Sequence, residues 1–423
     1  MLSKFTSILL IIIASLFGAM SCDKNDSGVH AGDLPDPIKI ELRSAEQEMI
    51  RADQGFAFEF FEQLFQEEAL DEDKNFMVSP LSLSIALSMT WNGAAGETKA
   101  SMQQTLKMDG FPDDDLNNYY KKLKEALLKT DPSTKLSIAN AIFTNQFIPI
   151  KSDFIATNQS FYGATVKPVD FTLPETVNVI NNWASDNTNG LIKEVIKETK
   201  PNDLMYLLNA IYFKGIWTSE FDKKNTDQRP FTYENGTLQH VDMMKQTAKF
   251  NYTENENMQL VQLPYGNQAF SMMVLLPSDG KKLQDVVTTT RQEGYWEGVK
   301  SALHEAEVDL SLPKFKTEYS KKLNEVLSKM GMGIAFSDAA DFSRMSDVSA
   351  KIDFVKHDTY ISTDEVGTEA AAVTTVGMIE TSLPAQPKKV IFNANRPFIY
   401  LIQENSTGAI LFMGAVKNFD ESF

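Results

Sequence analysis

Between Ala45 and Leu70 the apolar residues Ile50, Phe56, Phe60, Phe61, Leu64 and Phe65 recur at helical spacing, which predicts a long amphipathic helix. Its acidic end, Glu67 to Asp73, leads into NFMVSP, where Ser79 is placed to cap a second helix and Pro80 to start it. That helix runs through LSLSIALSMTWNGAAG to a stop near Gly93, and helical patterns continue to about residue 130. From Leu136 strand patterns mix in: KLSIANAIF, LMYLLNAIYFKGIW, QLVQLPY, FSMMVLLP and VDLSLPKF, separated by helices near 175 to 188 and 318 to 330. The run from Leu204 to Phe213 is almost continuously apolar, as a central strand should be. KKVIFNAN, PFIYLIQEN and AILFMGAV close the chain as strands, the last two joined by a turn at Asn405 to Gly408. The class is α+β with large sheets, in one domain from 45 to 421.

One segment fits none of these elements. Residues 365–383 read EVGTEAAAVTTVGMIETSL, with three carboxylates and no basic residue or proline. Loops gather Pro, Asn, Asp and Ser for turn chemistry, and edge strands are blunted by Lys or Pro, so the composition suits neither. Read with period two, Thr368, Ala370, Ala372, Thr374, Val376 and Met378 share one face, while Glu369, Ala371, Val373, Thr375 and Gly377 share the other. Such a strand could enter a sheet with one side buried and no charge on that side.

The N-terminus has the form of a secretory signal: Lys4, an apolar run from Phe5 to Met20, then Ser21 and Cys22. Cys22, the single cysteine, stands where a bacterial lipobox has its lipidated residue, so the mature chain would begin there with no disulfide. Ordinary signal cleavage and an uncleaved anchor helix are the alternatives. Residues 1–21 are then the signal and 22–44 a polar tether with Pro35 and Pro37. Asp23 to Asp26 resembles an acidic surface-export tag. The expected location is the cell envelope at the outer membrane, on a face left open, with membrane contact only through the lipid. A net charge of -17 makes nucleic acid an unsuitable partner.

The chain carries four histidines, His30, His240, His304 and His357, and no HExxH, GxSxG, P-loop or GxGxxG pattern. Metal binding would need ligands at close spacing, and these histidines lie far apart. Neither cofactor nor metal is expected, and the chain reads as a non-enzyme.

EVGTEAAAVT from Glu365, NFMVSPLS from Asn75, LLNAIYFKGIW from Leu207, LPKF from Leu312, FNANRPF from Phe392 and ILFMGAV from Ile410 resemble serpin motifs in serpin order, over Ala45 to Phe419. The resemblance implies three β-sheets, eight to nine helices and an exposed reactive loop at 365–387. It implies a suicide-substrate inhibitor, whose cleaved loop inserts into its own main sheet and traps an endopeptidase as an acyl-enzyme. The hinge falls on Glu365, Val366, Gly367, Thr368, Glu369, Ala370, Ala371 and Ala372. The breach, where insertion begins, falls on Trp217, Lys314 and Glu365, with Lys314 to Glu365 a salt bridge whose plain alternative is an ordinary surface ion pair. The shutter under the sheet falls on Ser79, Ser82, Asn209 and His357. Val366, where an acidic residue is common, and Val373, larger than the usual Ala, depart from the pattern.

Counting fifteen residues from Gly367 sets the reactive bond between Thr381 and Ser382, whereas counting back from FNANRPF favours a site nearer Leu383; Glu380, Ser382 and Leu383 stay open as alternatives. A small β-branched Thr381 suits a shallow elastase-type pocket, and Leu383 would suit a chymotrypsin-like one. No Arg or Lys lies between Glu365 and Pro387, so trypsin-like targets are not expected. Cysteine proteases are secondary targets, because they too form acyl intermediates. A monomer is expected. The alternative is a non-inhibitory serpin acting as a binding or carrier module.

Overall fold

The computed structural model describes residues 34–68, 74–368 and 389–419 of the 423. In chain order, α1 spans Ser44–Glu68, β1 Phe76–Val78, α2 Pro80–Trp91, α3 Gly96–Thr105 and α4 Asp113–Leu127. Then come β2 Lys135–Asn145, α5 Ser152–Tyr162, β3 Thr165–Val169, α6 Glu175–Asn187 and β4 Met205–Ile216. β5 Asp227–Thr232, β6 Leu238–Glu254, β7 Met258–Tyr265 and β8 Phe270–Pro277 follow, with α7 Leu283–Thr290 and α8 Tyr295–Ser301 after them. The last third holds β9 His304–Pro313, β10 Phe315–Lys322, α9 Asn324–Leu327, β11 Lys356–Thr363, β12 Gly367–Thr368, β13 Val390–Asn393, β14 Phe398–Glu404 and β15 Ile410–Val416.

α1 buries the predicted face, Phe56, Phe60, Phe61, Leu64 and Phe65. α2 is different: its side chains are buried almost all round, because it is sandwiched between β4 and β15. Pro80 and the Ser79 hydroxyl, which accepts from the Ser82 N–H, fix where it starts.

One sheet runs β1-β15-β14-β8-β7-β6-β9-β13, with β5 also on β6. Asn251 to Glu254 of β6 against Gln259 to Gln262 of β7 is the seam joining its two halves. Across that seam the described strands form three blades, the third being a six-stranded sheet ordered β10-β11-β12-β4-β2-β3.

The third blade positions the site. β12 is antiparallel to β11 on one side and to β4 on the other, so β4 and β11 run parallel to each other. β12 fills only one end of the space between them: Thr363 pairs with Thr368, Ile216 with Gly367 and Gly215 with Thr368. Beyond Thr368 no described strand separates β4 from β11. A cavity of about 450 Å³ lies there instead, walled by Leu204 to Ile211 and Phe354 to Asp358 and floored by Ser82, Leu83 and Leu87. Met205, Tyr206, Leu207 and Leu208 are consequently only half-buried, an unusual state for a run so apolar.

The expected helix near 318 to 330 is corrected by the structure. Its first part is β10, where Phe315, Thr317 and Tyr319 alternate inward, and α-helix covers only Asn324–Leu327.

Candidate functional site

The chain crosses from β11 to β12 through a tight turn at Asp364, Glu365 and Val366. The Asp364 carboxylate accepts from the N–H groups of Val366 at 2.8 Å and Gly367 at 3.2 Å, and the Asp364 N–H donates to the Gly367 carbonyl at 2.9 Å. The turn is stitched to the chain leaving β4. The Trp217 N–H donates to the Val366 carbonyl at 2.8 Å, the Phe221 N–H to the Glu365 carbonyl at 2.9 Å, and the Trp217 indole N–H to the Asp364 carbonyl at 2.9 Å. Gly367 does not use a left-handed conformation. It is needed because a Cβ there would overlap the Gly215 carbonyl oxygen.

Trp217, Lys314 and Glu365 come together at this mouth. Lys314 Nζ lies 3.3 Å from Glu365 Oε2, and the Thr226 hydroxyl donates to Oε1 at 2.9 Å. Burial pushes the Glu365 carboxyl up, but its own backbone N–H, the Thr226 hydroxyl and Lys314 outweigh that and hold it below its usual range. The pair is no ordinary surface bridge, since the Glu365 side chain is 6% exposed. Trp217 stacks on Tyr265 with ring centroids 4.4 Å apart. The Tyr265 hydroxyl in turn meets Thr368 Oγ1 at 2.5 Å, and Thr368 is buried. Val366 is buried as well, so the departure at this position adds apolar packing.

Ser79, Ser82, Asn209 and His357 form a second cluster under the gap. The Ser79 N–H donates to His357 Nε2 at 2.9 Å. The Ser82 hydroxyl donates to Asn209 Oδ1, and Asn209 Nδ2 donates to Asn140 Oδ1 at 2.6 Å. Two serines one helical turn apart thus hold opposite edges of the gap, Ser79 on β11 and Ser82 on β4. Burial pulls the His357 imidazole down to about 4, which keeps it neutral at pH 7 with its proton on Nδ1. This is not a nucleophile and its base. The Ser79 hydroxyl donates to the Leu411 carbonyl at 2.6 Å, and only the backbone of Ser79 reaches the histidine.

Thr226, Tyr265, Asp364 and Asn140 belong to these clusters, and sequence reasoning did not single them out. Asp364 carried a local signal, a turn-forming Asp ahead of Gly367. The other three are brought in by segments remote in sequence. Of the anticipated residues, Cys22, Glu369, Ala370, Ala371, Ala372, Glu380, Thr381, Ser382 and Leu383 lie outside the described residues. What the arrangement offers chemically is two parallel strand edges, 205–214 and 356–362, with backbone groups facing a cavity. Edges of this kind can pair with the backbone of an extended peptide.

A family model described as Serpin (serine protease inhibitor) matches residues 51–419. The chain is 32% identical over 426 residues to an uncharacterized serpin-like protein of Thermococcus kodakarensis, covering 97% of each. It is 33% identical over 386 residues to antithrombin-III of Mus musculus, covering 88% of this chain and 82% of the relative. Among solved structures, the native state of the thermophilic serpin tengpin superposes with a TM-score of 0.79 at 33% identity, covering 91% of this chain and 97% of that one.

Proposed function

The chain belongs to the serpin family, and from that premise we propose that it is an inhibitory member: a suicide substrate that inserts its cleaved loop between β4 and β11 and so traps a serine endopeptidase. The observation that carries this reading is β12, because Gly367 and Thr368 already sit between the two strands with partners on both sides. Continuing the same antiparallel register sets Ala370, Ala372, Thr374, Val376 and Met378 on the buried face of Thr368, with Met378 opposite Met205. Glu369 then points to solvent, so no charge is buried between Thr368 and Met378 as insertion proceeds. Filling the two edges adds roughly fifteen backbone hydrogen bonds at about 0.5 to 1.5 kcal/mol each, on the order of 10 kcal/mol or more.

In the proposed reaction the protease serine Oγ attacks the carbonyl carbon of Thr381. The Thr381–Ser382 amide breaks, its nitrogen leaves as an amine after taking a proton from the protease base, and Thr381 remains as an ester. Insertion then carries the attached enzyme to the end of the sheet where β4 begins, before water completes deacylation. A Thr381 bait favours an elastase-like target, with cysteine proteases secondary. The same proposal takes the protein as a monomer tied to the cell envelope by a lipid on Cys22; among the described residues no helix is long and apolar enough to cross a membrane.

The soluble form from Asp23, mixed with pancreatic elastase, is expected to give a band that survives SDS and exceeds either partner, with mass spectrometry locating the cut at Thr381. Cleavage without such a band would favour the binding-module alternative. A stable complex formed by a trypsin-like enzyme after Lys388 would contradict the bait assignment.

A further inference from the structure

The chain is tied into the fold before its first helix. Residues 37–42 read PIKIEL, and in this irregular stretch Lys39 and Glu41 are exposed while Ile40 is buried in the main core and Leu42 packs against it. Terminal segments stay loose unless something ties them down, and here two anchors do. The Ile38 N–H donates to the Thr130 carbonyl at 3.3 Å, and the Thr130 hydroxyl returns a bond to the Ile38 carbonyl at 2.5 Å. The Ile40 N–H donates to Ser406 Oγ at 3.0 Å. Thr130 is buried in the connection from α4 to β2, and Ser406 lies in the turn from β14 to β15. Both anchors grip a third turn, residues 265–270 between β7 and β8. Asn267 Nδ2 donates to the same Thr130 carbonyl at 3.3 Å, and Asn405 Nδ2 donates to the Gln268 carbonyl at 2.7 Å. The α4–β2 connection also lies hard against that turn, since a Cβ on Gly266 would overlap Ser133 Oγ and Asp131 Oδ2.

The turn at 265–270 in its place holds the mouth of the gap. The Gly266 N–H donates to the Ile216 carbonyl at 2.8 Å, the Thr218 hydroxyl donates to the Gly266 carbonyl at 2.9 Å, and Tyr265 carries both the Trp217 stack and the Thr368 contact. We infer that residues 38–42 are a strap that braces this mouth, pressing the turn against the chain that leaves β4, so that loss of the strap loosens Trp217 and Gly266 while the core stays closed. A contiguous set of hydrogen bonds runs from Ile38 to Ile216 through Thr130, Asn267 and Gly266, which gives the coupling a physical route. The strap acts on the intact chain, so this role stands apart from whether a protease is trapped. It places a control on the mouth outside the loop and outside both clusters described above. Because any strand entering between β4 and β11 from β12 must pass this mouth, the strap sets how readily the gap opens in the intact protein.

The test follows amide hydrogen exchange in the full-length protein and in a variant carrying Thr130→Val and Ile40→Ser, which removes the returning hydroxyl bond and the buried anchor side chain. Exchange at Trp217, Phe221 and Gly266 is expected to speed up roughly tenfold, with amides within 272–275 of β8 unchanged. Two controls are expected to exchange like the native chain: Thr130→Ser, which keeps the hydroxyl, and Ile38→Ser, whose side chain is 62% exposed and whose bonds are made by its backbone. Faster exchange confined to 38–42 would overturn the inference, leaving a tail that only packs. So would an equal rise across β8, which would mark a general loss of stability. If the double variant does not fold, Thr130→Val alone decides between the same outcomes.

Discussion

Asp53 and His357 are both pushed toward their neutral forms by burial, with opposite consequences for stability in acid. His357 sits near 4 in the fold against an ordinary 6.5. The unfolded chain therefore takes up that proton first, and stability is lost as pH falls from about 6.5 toward 4, by up to about 3 kcal/mol. Asp53 on α1 accepts from the Tyr119 and Tyr120 hydroxyls at 2.5 and 2.9 Å. Burial raises its carboxyl from 3.8 to about 6 despite those bonds, so its contribution is lost as pH rises through 6 and returns on acidification. The two effects oppose each other between pH 4 and 6. Glu46, Glu68 and Glu365 are all held below 4.5 and act only in stronger acid. Asp53→Asn is therefore predicted to steepen the fall of the heat-unfolding midpoint between pH 6.5 and 4.5; a curve parallel to the native one would contradict the assignment. Lys314→Met leaves the buried Glu365 carboxylate with hydroxyl and backbone donors only. The intact form should lose about 1 to 3 kcal/mol, or about 2 to 4 °C of midpoint per kcal/mol, read by calorimetry.

At the scale of elements, the proposed insertion turns on Gly367, Thr368 and the two strands that flank them. The Thr368 hydroxyl meets those of Tyr265 and Thr363 in a buried site. Thr368→Arg would bring a guanidinium into that space, at a cost of several kcal/mol while it stays unpaired. The loop should still be cut, but insertion should lag hydrolysis, raising the inhibitor consumed per protease trapped roughly tenfold or more. Unchanged stoichiometry on titration would argue that this residue does not enter first. The strands flanking the gap were unequally legible. LLNAIYFKGIW announces β4 by its apolar run, whereas KHDTYIST, which is β11, has none and alternates polar types, with His357, Thr359, Ile361 and Thr363 buried. The helix-favouring KKLNEVL hid β10 in the same way, since Tyr319 and Thr317 are fixed inward by sheet pairing with Thr359 and Ile361. Gly367 reads from the sequence as a hinge, whereas the close backbone approach to Gly215 that requires a glycine there depends on a partner strand some 150 residues earlier in the chain.

For the whole molecule, the fold is a sheet held short of completion. β4 and β11 are pinned from below by Ser82 and Ser79 and joined above by two residues of β12, with a cavity between. The motifs in linear order were enough to read the family. The cavity was not legible, because it arises where β4 and β11 are left unpaired beyond Thr368 among the described residues. If the gap is the seat of the chain's own loop, cleavage within 380–383 should stabilise the whole protein, and its heat-unfolding midpoint should rise sharply. The most direct measurement is amide hydrogen exchange across β4 and β11 in the intact and the loop-cleaved protein. Amides within 205–214 and 356–362 facing the gap are predicted to become strongly protected on cleavage. Unchanged exchange along both strands would contradict insertion there.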